Sequence, residues 1–228
     1  MTPHAIVSYD DTVDDHDALM LGRILRDAGA RLALAYVRHA THQRPAEEQL
    51  SQEAAERLLE RGARWLDDAY CERRVVVSPS TGAGLSWLAE REQADVIVFG
   101  SDYRTRRGHV ALGRTAQTLL EGGPAAVALA PAGYAMDGRG TVATIGVLRG
   151  TADEAAIETA FSLAERLDAE VVDADRGVDL LVVGSRPEAR AGRVMITARA
   201  HRAVEDATAP VLVVARATPL RFETLVTA

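Results

Sequence analysis

The sequence contains no lysine, one cysteine, few aromatic residues and no long uninterrupted apolar run. Aromatic side chains make up 4% of the 228 residues, so the core must be built from Val, Leu, Ile and Ala. Because Cys71 is the single cysteine, an internal disulfide is excluded and a reducing cytoplasm is the expected compartment. No stretch approaches the roughly 18 apolar residues of a membrane span, so we expect no membrane partner.

The charge balance argues against nucleic-acid binding. The chain is 47% hydrophobic and 26% charged, as in ordinary globular proteins, and its formal net charge is −7. A non-specific nucleic-acid binder usually presents a broad basic face that neutralises phosphates. We therefore expect no nucleic-acid partner.

Apolar runs alternate with helical segments along the first part of the chain. The runs that predict strands are residues 5–9, 32–37, 75–77, 95–99 and 126–130. Strands that alternate with helices pair in parallel through right-handed crossovers. Because these strands are almost wholly apolar, the sequence predicts an α/β fold whose parallel sheet is covered by helices on both faces.

A second, shorter copy of this pattern follows a stretch containing three Gly and a Pro, residues 131–141. Residues 148–151 align with 9–12 at an offset of 139, whereas 178–185 align with 94–101 at an offset of 84. The fall of 55 residues indicates that the second copy lacks the helix–strand–helix of the first. The predicted organisation is a complete domain (1–134), a linker (135–141), a truncated domain (142–216) and a C-terminal tail (217–228).

The order of these elements resembles the universal stress protein family. In that family a nucleotide signature follows the fourth strand: Gly, two residues, Gly, nine residues, Gly, then Ser or Thr. Gly100 and Gly113 stand at the first and third positions, Tyr103 at the second, and Arg114 and Thr115 follow. The resemblance implies two Rossmann-like domains of the adenine nucleotide alpha hydrolase-like type, the second of them truncated and degenerate.

The resemblance also implies a nucleotide site in the first domain. In nucleotide-binding members, an Asp at the end of the first strand and a Val at the end of the second contact the nucleoside. Glycines let the backbone approach phosphates, and an arginine donates two hydrogen bonds to them. The expected cofactor is ATP or another adenine nucleotide. The candidate binding residues are Asp10, Val37, Gly100, Gly113, Arg114 and Thr115.

No nucleotide is expected in the second domain. There Arg149 stands at the aspartate position, and Pro187 and Thr197 replace the second and third glycines. The acidic run at residues 10–17 suits either a divalent cation or a helix N-terminus, where the helix dipole favours carboxylates. The position before a helix favours the second interpretation, and no metal site is expected.

Three hypotheses follow for the function. The first is a stress-response protein that binds a nucleotide in its first domain and is not an enzyme. The second is a ligand-free interaction module, because Tyr103 and Arg114 depart from the signature. The third is a nucleotide-hydrolysing enzyme of the same fold group. The resemblance also implies pairing of the last strands, here residues 126–130 with 210–214, which predicts an internal pseudo-dimer, with a homodimer as the alternative.

Overall fold

The structure, a computed structural model, describes residues 2–12, 15–39, 45–137, 140–148, 153–174 and 177–222. The first part of the chain contains β1 (His4–Ser8), α1 (Asp15–Asp27), β2 (Arg31–His39), α2 (Pro45–Trp65), β3 (Glu72–Ser78), α3 (Thr81–Glu92), β4 (Val96–Phe99), α4 (Arg114–Leu120) and β5 (Ala126–Leu129). The second part contains β6 (Thr144–Val147), α5 (Glu154–Leu167), β7 (Glu170–Asp173), β8 (Leu180–Gly184), α6 (Ala198–Glu205) and β9 (Val211–Val214). Within the described residues, no helix has the length and apolarity needed to cross a membrane.

All of these strands join one sheet, in the order β3-β2-β1-β4-β5-β9-β8-β6-β7. Neighbouring strands are parallel except β5 and β9, which run antiparallel with Ala128 opposite Leu212. The predicted α/β fold with a mainly parallel sheet is confirmed. The β5–β9 pair joins the two halves at a seam, and it is formed by the two segments that the resemblance predicts to pair.

Helices cover both faces of the sheet, because its central strands β4, β5, β9 and β8 are apolar on both sides. On one face α1 and α5 pack through residues such as Leu21 and Leu163, next to α2. On the other face α3 and α6 pack through residues such as Leu85 and Val204, next to α4. Each leucine buried in this way contributes about 2 kcal/mol of hydrophobic stabilisation.

Backbone hydrogen bonds cross the seam with pseudo-two-fold symmetry. The Val110 N–H donates to the Ala207 carbonyl (3.1 Å), and the Val194 N–H donates to the Gly123 carbonyl (3.0 Å). Val194 and Ala207 each lie 84 residues after their counterparts Val110 and Gly123. Each half therefore offers the other the same surface, which is the geometry of an isologous dimer interface built inside one chain.

A buried serine closes the loop after β4, and another closes the loop after β8. The Ser101 hydroxyl donates to the Ala130 carbonyl, and the Ser185 hydroxyl donates to the Val214 carbonyl, both at 2.7 Å. Each hydroxyl also accepts the backbone N–H ten residues further along the chain. The two loops therefore share one hydrogen-bonded frame, formed by the serine hydroxyl and its two backbone partners, although their sequences differ.

The second half has less cover on one flank. The chain passes from β7 to β8 within six residues, where the first half has α2, β3 and α3. In the first half α1 is joined to α2 by His16, whose ring stacks on Trp65 with centroids 5.4 Å apart. On α5 the exposed apolar side chains are Ile157 and Phe161, the latter 59% exposed. The missing elements thus leave apolar surface at the far edge of the sheet.

The segment predicted to be a linker begins as a packed turn. Asp17 of α1 is buried and accepts the N–H groups of Gly133 and Ala135, both at 2.7 Å. These bonds hold the chain against the first half immediately after β5. Residues 138–139 lie outside the described part.

The C-terminal tail packs along α5 as far as it is described. The Leu220 N–H donates to the Thr159 hydroxyl (2.9 Å), and the Phe222 N–H donates to the Ser162 hydroxyl (2.8 Å). Both apolar side chains of the tail are buried. Residues 217–222 therefore cover part of the α5 surface, and the last six residues lie outside the described part.

Candidate functional site

The carboxyl ends of three adjacent strands meet at one edge of the sheet. β1 lies between β2 and β4 and runs parallel to both. Asp10 follows β1 by two residues, Val37 lies near the end of β2, and Gly100 comes directly after β4. In open α/β sheets this edge, at the point where the strand order reverses, is where ligands bind.

Val37 presents its backbone, rather than its side chain, to this edge. A Cβ built on Gly84 would lie 2.8 Å from Val37 Cγ1, so the valine side chain packs under the first turns of α3. The Ala35 carbonyl accepts the Tyr9 N–H from the β1 side at 2.9 Å. Because alternate residues of a strand direct their backbone groups to the same side, Val37 directs its N–H and C=O towards the space beyond the end of β1.

Two carboxylates adjoin at the end of β1. Asp15 Oδ2 accepts the N–H of Asp10 at 2.6 Å and the N–H of Thr12 at 3.1 Å. Burial, and then the neighbouring Asp10 carboxyl group, raise the pKa of Asp15 to about 7. Asp15 therefore holds a proton more tightly than an ordinary carboxyl group, while Asp10 is exposed and accessible to a ligand.

The rest of the acidic run is occupied by the protein itself. Asp11 accepts a hydrogen bond from the Tyr9 hydroxyl (2.6 Å) and an ion pair from Arg61 of α2 (2.6 Å), and these donors lower its pKa. Asp17 holds the turn after β5, and Asp14 lies outside the described residues. In the described part of the chain, no three His, Cys, Asp or Glu side chains converge as a metal site.

The loop between β4 and α4 carries the changed signature position at its surface. Tyr103, at the second glycine position, is 70% exposed and has the Arg104 guanidinium 4.9 Å from its ring centroid. Its φ is not positive, so this backbone position does not require glycine. The tyrosine is therefore accommodated without backbone strain.

The end of the signature faces open space on one side and α3 on the other. Gly113 is the N-cap of α4, no side chain caps it, and a Cβ built there would meet no atom within 4 Å. Arg114 begins α4 and is exposed. The Thr115 methyl group instead faces α3, 3.9 Å from the place of a Cβ on Gly82.

The equivalent position in the second half is filled. Thr197 is the N-cap of α6, and its hydroxyl accepts the Ala200 N–H at 3.1 Å. A side-chain oxygen there already takes up a backbone donor that Gly113 leaves without a side-chain partner. A backbone N–H at the start of α4 thus remains without a side-chain acceptor and can bind an anion, whereas the corresponding N–H of α6 is already bonded.

The register of β6 differs by one residue from the offset read in the sequence. Ile145 pairs with β8 as Ala5 pairs with β4, and these two residues are 140 apart rather than 139. The predicted replacement of the aspartate by Arg149 stays a prediction, because Arg149 lies outside the described part of the chain.

Two features of the site were missed by reasoning from the sequence: the first turns of α3, and Asp15 as the carboxyl that adjoins Asp10. Ser80 caps α3 by accepting the Ala83 N–H (3.2 Å), and Gly84 lets the helix approach β2 closely. Two glycines at the start of a helix that follows a strand indicate such close packing. No local pattern marks Asp15.

The family of the chain follows from comparison with known proteins. The model of the universal stress protein family matches residues 1–131. The chain belongs to the universal stress protein family. The match spans the sheet edge and the loop that ends at Gly113, so the candidate site lies wholly within the family region of this universal stress protein.

Solved universal stress proteins share the fold over almost the whole chain. A universal stress protein from Archaeoglobus fulgidus is 13% identical, with a TM-score of 0.69 over 93% of this chain and 98% of the other. A putative universal stress protein from Pseudomonas aeruginosa is 12% identical, with a TM-score of 0.59 over 93% of each chain. At these identities the likeness shows the fold alone.

Among curated proteins, universal stress protein Rv2319c of Mycobacterium tuberculosis is 38% identical over 80 residues. That alignment covers 35% of this chain and 26% of the relative. The chain thus matches about a quarter of the length of these curated relatives.

Proposed function

We propose that this universal stress protein acts in a stress response by binding one adenine nucleotide in its first half, without hydrolysing it. The observation that carries the proposal is the arrangement of Asp10, the Val37 backbone and Gly113 around one strand-end edge. These groups belong to three separate segments: Asp10 has an exposed carboxylate, Val37 offers its backbone donor and acceptor, and Gly113 has open space where a Cβ would stand.

The base and the sugar have partners of the right chemistry. The N–H and C=O of Val37 offer one donor and one acceptor, which suits the hydrogen-bonding edge of an adenine. The exposed Asp10 carboxylate accepts hydrogen bonds from ribose hydroxyls. A protonated Asp15 beside it reduces the local negative charge, which would otherwise repel the phosphates.

The phosphates have room and a free cation. The open side of Gly113 allows a phosphate to approach the backbone. The Arg114 guanidinium has no acceptor among the described residues, so it is available for a bidentate contact to phosphate. In the second half Thr197 stands at the position equivalent to Gly113, and its hydroxyl already accepts a backbone N–H at the start of α6. We therefore propose a single site.

Calorimetric titration with ATP, ADP and AMP tests the proposal. We expect saturable binding of one nucleotide per chain, lost in Asp10→Ala and kept in Asp27→Ala, whose carboxylate lies exposed at the other end of α1. Absence of saturable binding by the wild-type protein would favour the ligand-free interaction module. Release of phosphate from ATP by the purified protein, abolished in Asp10→Ala, would favour the enzyme.

We also propose that the chain is a monomer whose halves form an internal pseudo-dimer in the cytoplasm. The support is the β5–β9 seam, which pairs the two last strands within one chain. Gel filtration with light scattering is expected to give the mass of one chain, 24.4 kDa. A stable homodimer or a larger assembly would contradict this part of the proposal.

A further inference from the structure

A cavity of about 540 Å³ lies between α4 and α6, over the seam of the two halves. Its apolar walls come from both halves: Leu112 and Leu120 from the first, and Met195 and Ile196 from the second. None of the six candidate nucleotide-binding residues lines it. Its volume lies within the range of small-molecule sites, roughly 300 to 1,000 Å³.

Backbone bonds across the seam hold the cavity open. Glu121, at the end of α4, forms an antiparallel bridge with Met195. The Val194 N–H donates to the Gly123 carbonyl at 3.0 Å. These bonds join the two walls of the cavity directly and fix their spacing.

The rim of the cavity carries more positive than negative charge. Arg186 and Arg202 line it together with one carboxylate, Glu121. Neither guanidinium has an acceptor among the described residues, and Arg186 Nε is buried without a hydrogen-bond partner. Buried donors are normally satisfied, so an orphaned guanidinium at a cavity wall indicates a place for an anion.

This charge is a property of one side of the seam alone. The counterpart of Arg186, 84 residues earlier, is Asp102, and Asp102 accepts the N–H of Arg104 within its own turn (3.1 Å). The frame is common to both loops, but of their described arginines only Arg186 lines the cavity. The positive charge at the cavity therefore belongs to the second half and is not a consequence of the shared loop geometry.

We propose that the seam cavity binds a small organic anion with an apolar body, such as a medium-chain carboxylate. The body lies against Leu112, Leu120 and Ile196, and the anionic group meets Arg186 and Arg202. This site is separate from the nucleotide site and does not depend on the proposed nucleotide binding.

Displacement of the fluorescent anion anilinonaphthalene sulfonate tests the proposal. Decanoate is expected to displace the dye from the full chain, whereas decyltrimethylammonium, with the same chain and a cationic head, is not. Arg186→Met removes the guanidinium but keeps the apolar length. We expect it to raise the decanoate concentration for half displacement about tenfold, the effect of losing a charge-assisted hydrogen bond. Arg190→Met, on the same loop but away from the cavity, is expected to leave it unchanged.

Further arms of the experiment keep the proposal falsifiable. If Arg186→Met fails to fold, Arg202→Met on the exposed face of α6 must weaken decanoate binding in its place. Phe161→Ser must leave dye binding unchanged, because Phe161 is the exposed aromatic of α5. The proposal would be overturned if decanoate and decyltrimethylammonium displaced the dye equally, or if Arg190→Met weakened decanoate binding as much as Arg186→Met. It would also be overturned if Phe161→Ser lost dye binding, or if ATP displaced the dye.

Discussion

Replacing Gly84 by alanine is expected to push α3 away from β2. The new Cβ would lie 2.8 Å from Val37 Cγ1 and 3.0 Å from Ser78 Cβ, closer than such atoms approach without a shift. Overpacking of this kind costs about 1–3 kcal/mol, and the higher helix propensity of alanine returns about 0.5–1 kcal/mol. We therefore expect a net loss of about 1–2 kcal/mol, which for a chain of this length lowers Tm by roughly 2–8 °C.

Gly82→Ala is the matched control, because it makes the same change two residues earlier in α3. Its Cβ would meet Thr115 Cγ2 at 3.9 Å and Thr118 Cγ2 at 4.0 Å, which are ordinary contacts. Urea denaturation is expected to show Gly82→Ala as stable as the wild type or more so, and Gly84→Ala as less stable. Calorimetry is expected to show weaker ATP binding in Gly84→Ala, since Val37 moves with β2. Equal stability of the two variants would refute the close packing of α3 on Val37.

Two further predictions concern the seam and the carboxylate pair. Leu212→Ala leaves a cavity at a buried position opposite β5, and we expect the free energy of unfolding to fall by about 2–5 kcal/mol. Scanning calorimetry is expected to show a single transition with a lower Tm; two transitions, of which only one shifts, would contradict a single cooperative sheet. Because Asp15 has a pKa raised from 3.8 to about 7, the folded state holds its proton more tightly than the unfolded state. Wild-type stability therefore falls as pH rises through this window, and Asp15→Asn removes that loss; parallel urea-denaturation curves of stability against pH for the two proteins would contradict the raised pKa.

The fold class is predictable from the sequence because its determinants are local. Apolar runs mark the strands of the first half: four of the five predicted runs begin and end within two residues of the observed strand, and the run 75–77 leaves out the first three residues of β3, which are charged. The repeat is also visible, since loops with the same frame keep their spacing, as Ser101 and Ser185 do.

The candidate site is only partly predictable, because much of it depends on contacts between distant residues. Asp17 reads as one member of an acidic run, yet it binds the turn at Gly133, 116 residues away. The sequence marks Val37 as a binding residue but not which of its groups faces the ligand; its side chain is covered by α3, and its backbone faces the edge. The seam cavity joins two halves of the chain, so no local pattern predicts it.

A crystal structure of the protein grown with ATP tests the central claim most directly, namely that one nucleotide binds in the first half. We predict density for one nucleotide at the edge formed by Asp10, Val37 and Gly113, with no nucleotide beside Thr197. Nucleotide density beside Thr197 would contradict the claim, whether or not the first half also holds a nucleotide, and so would the absence of nucleotide density from both halves.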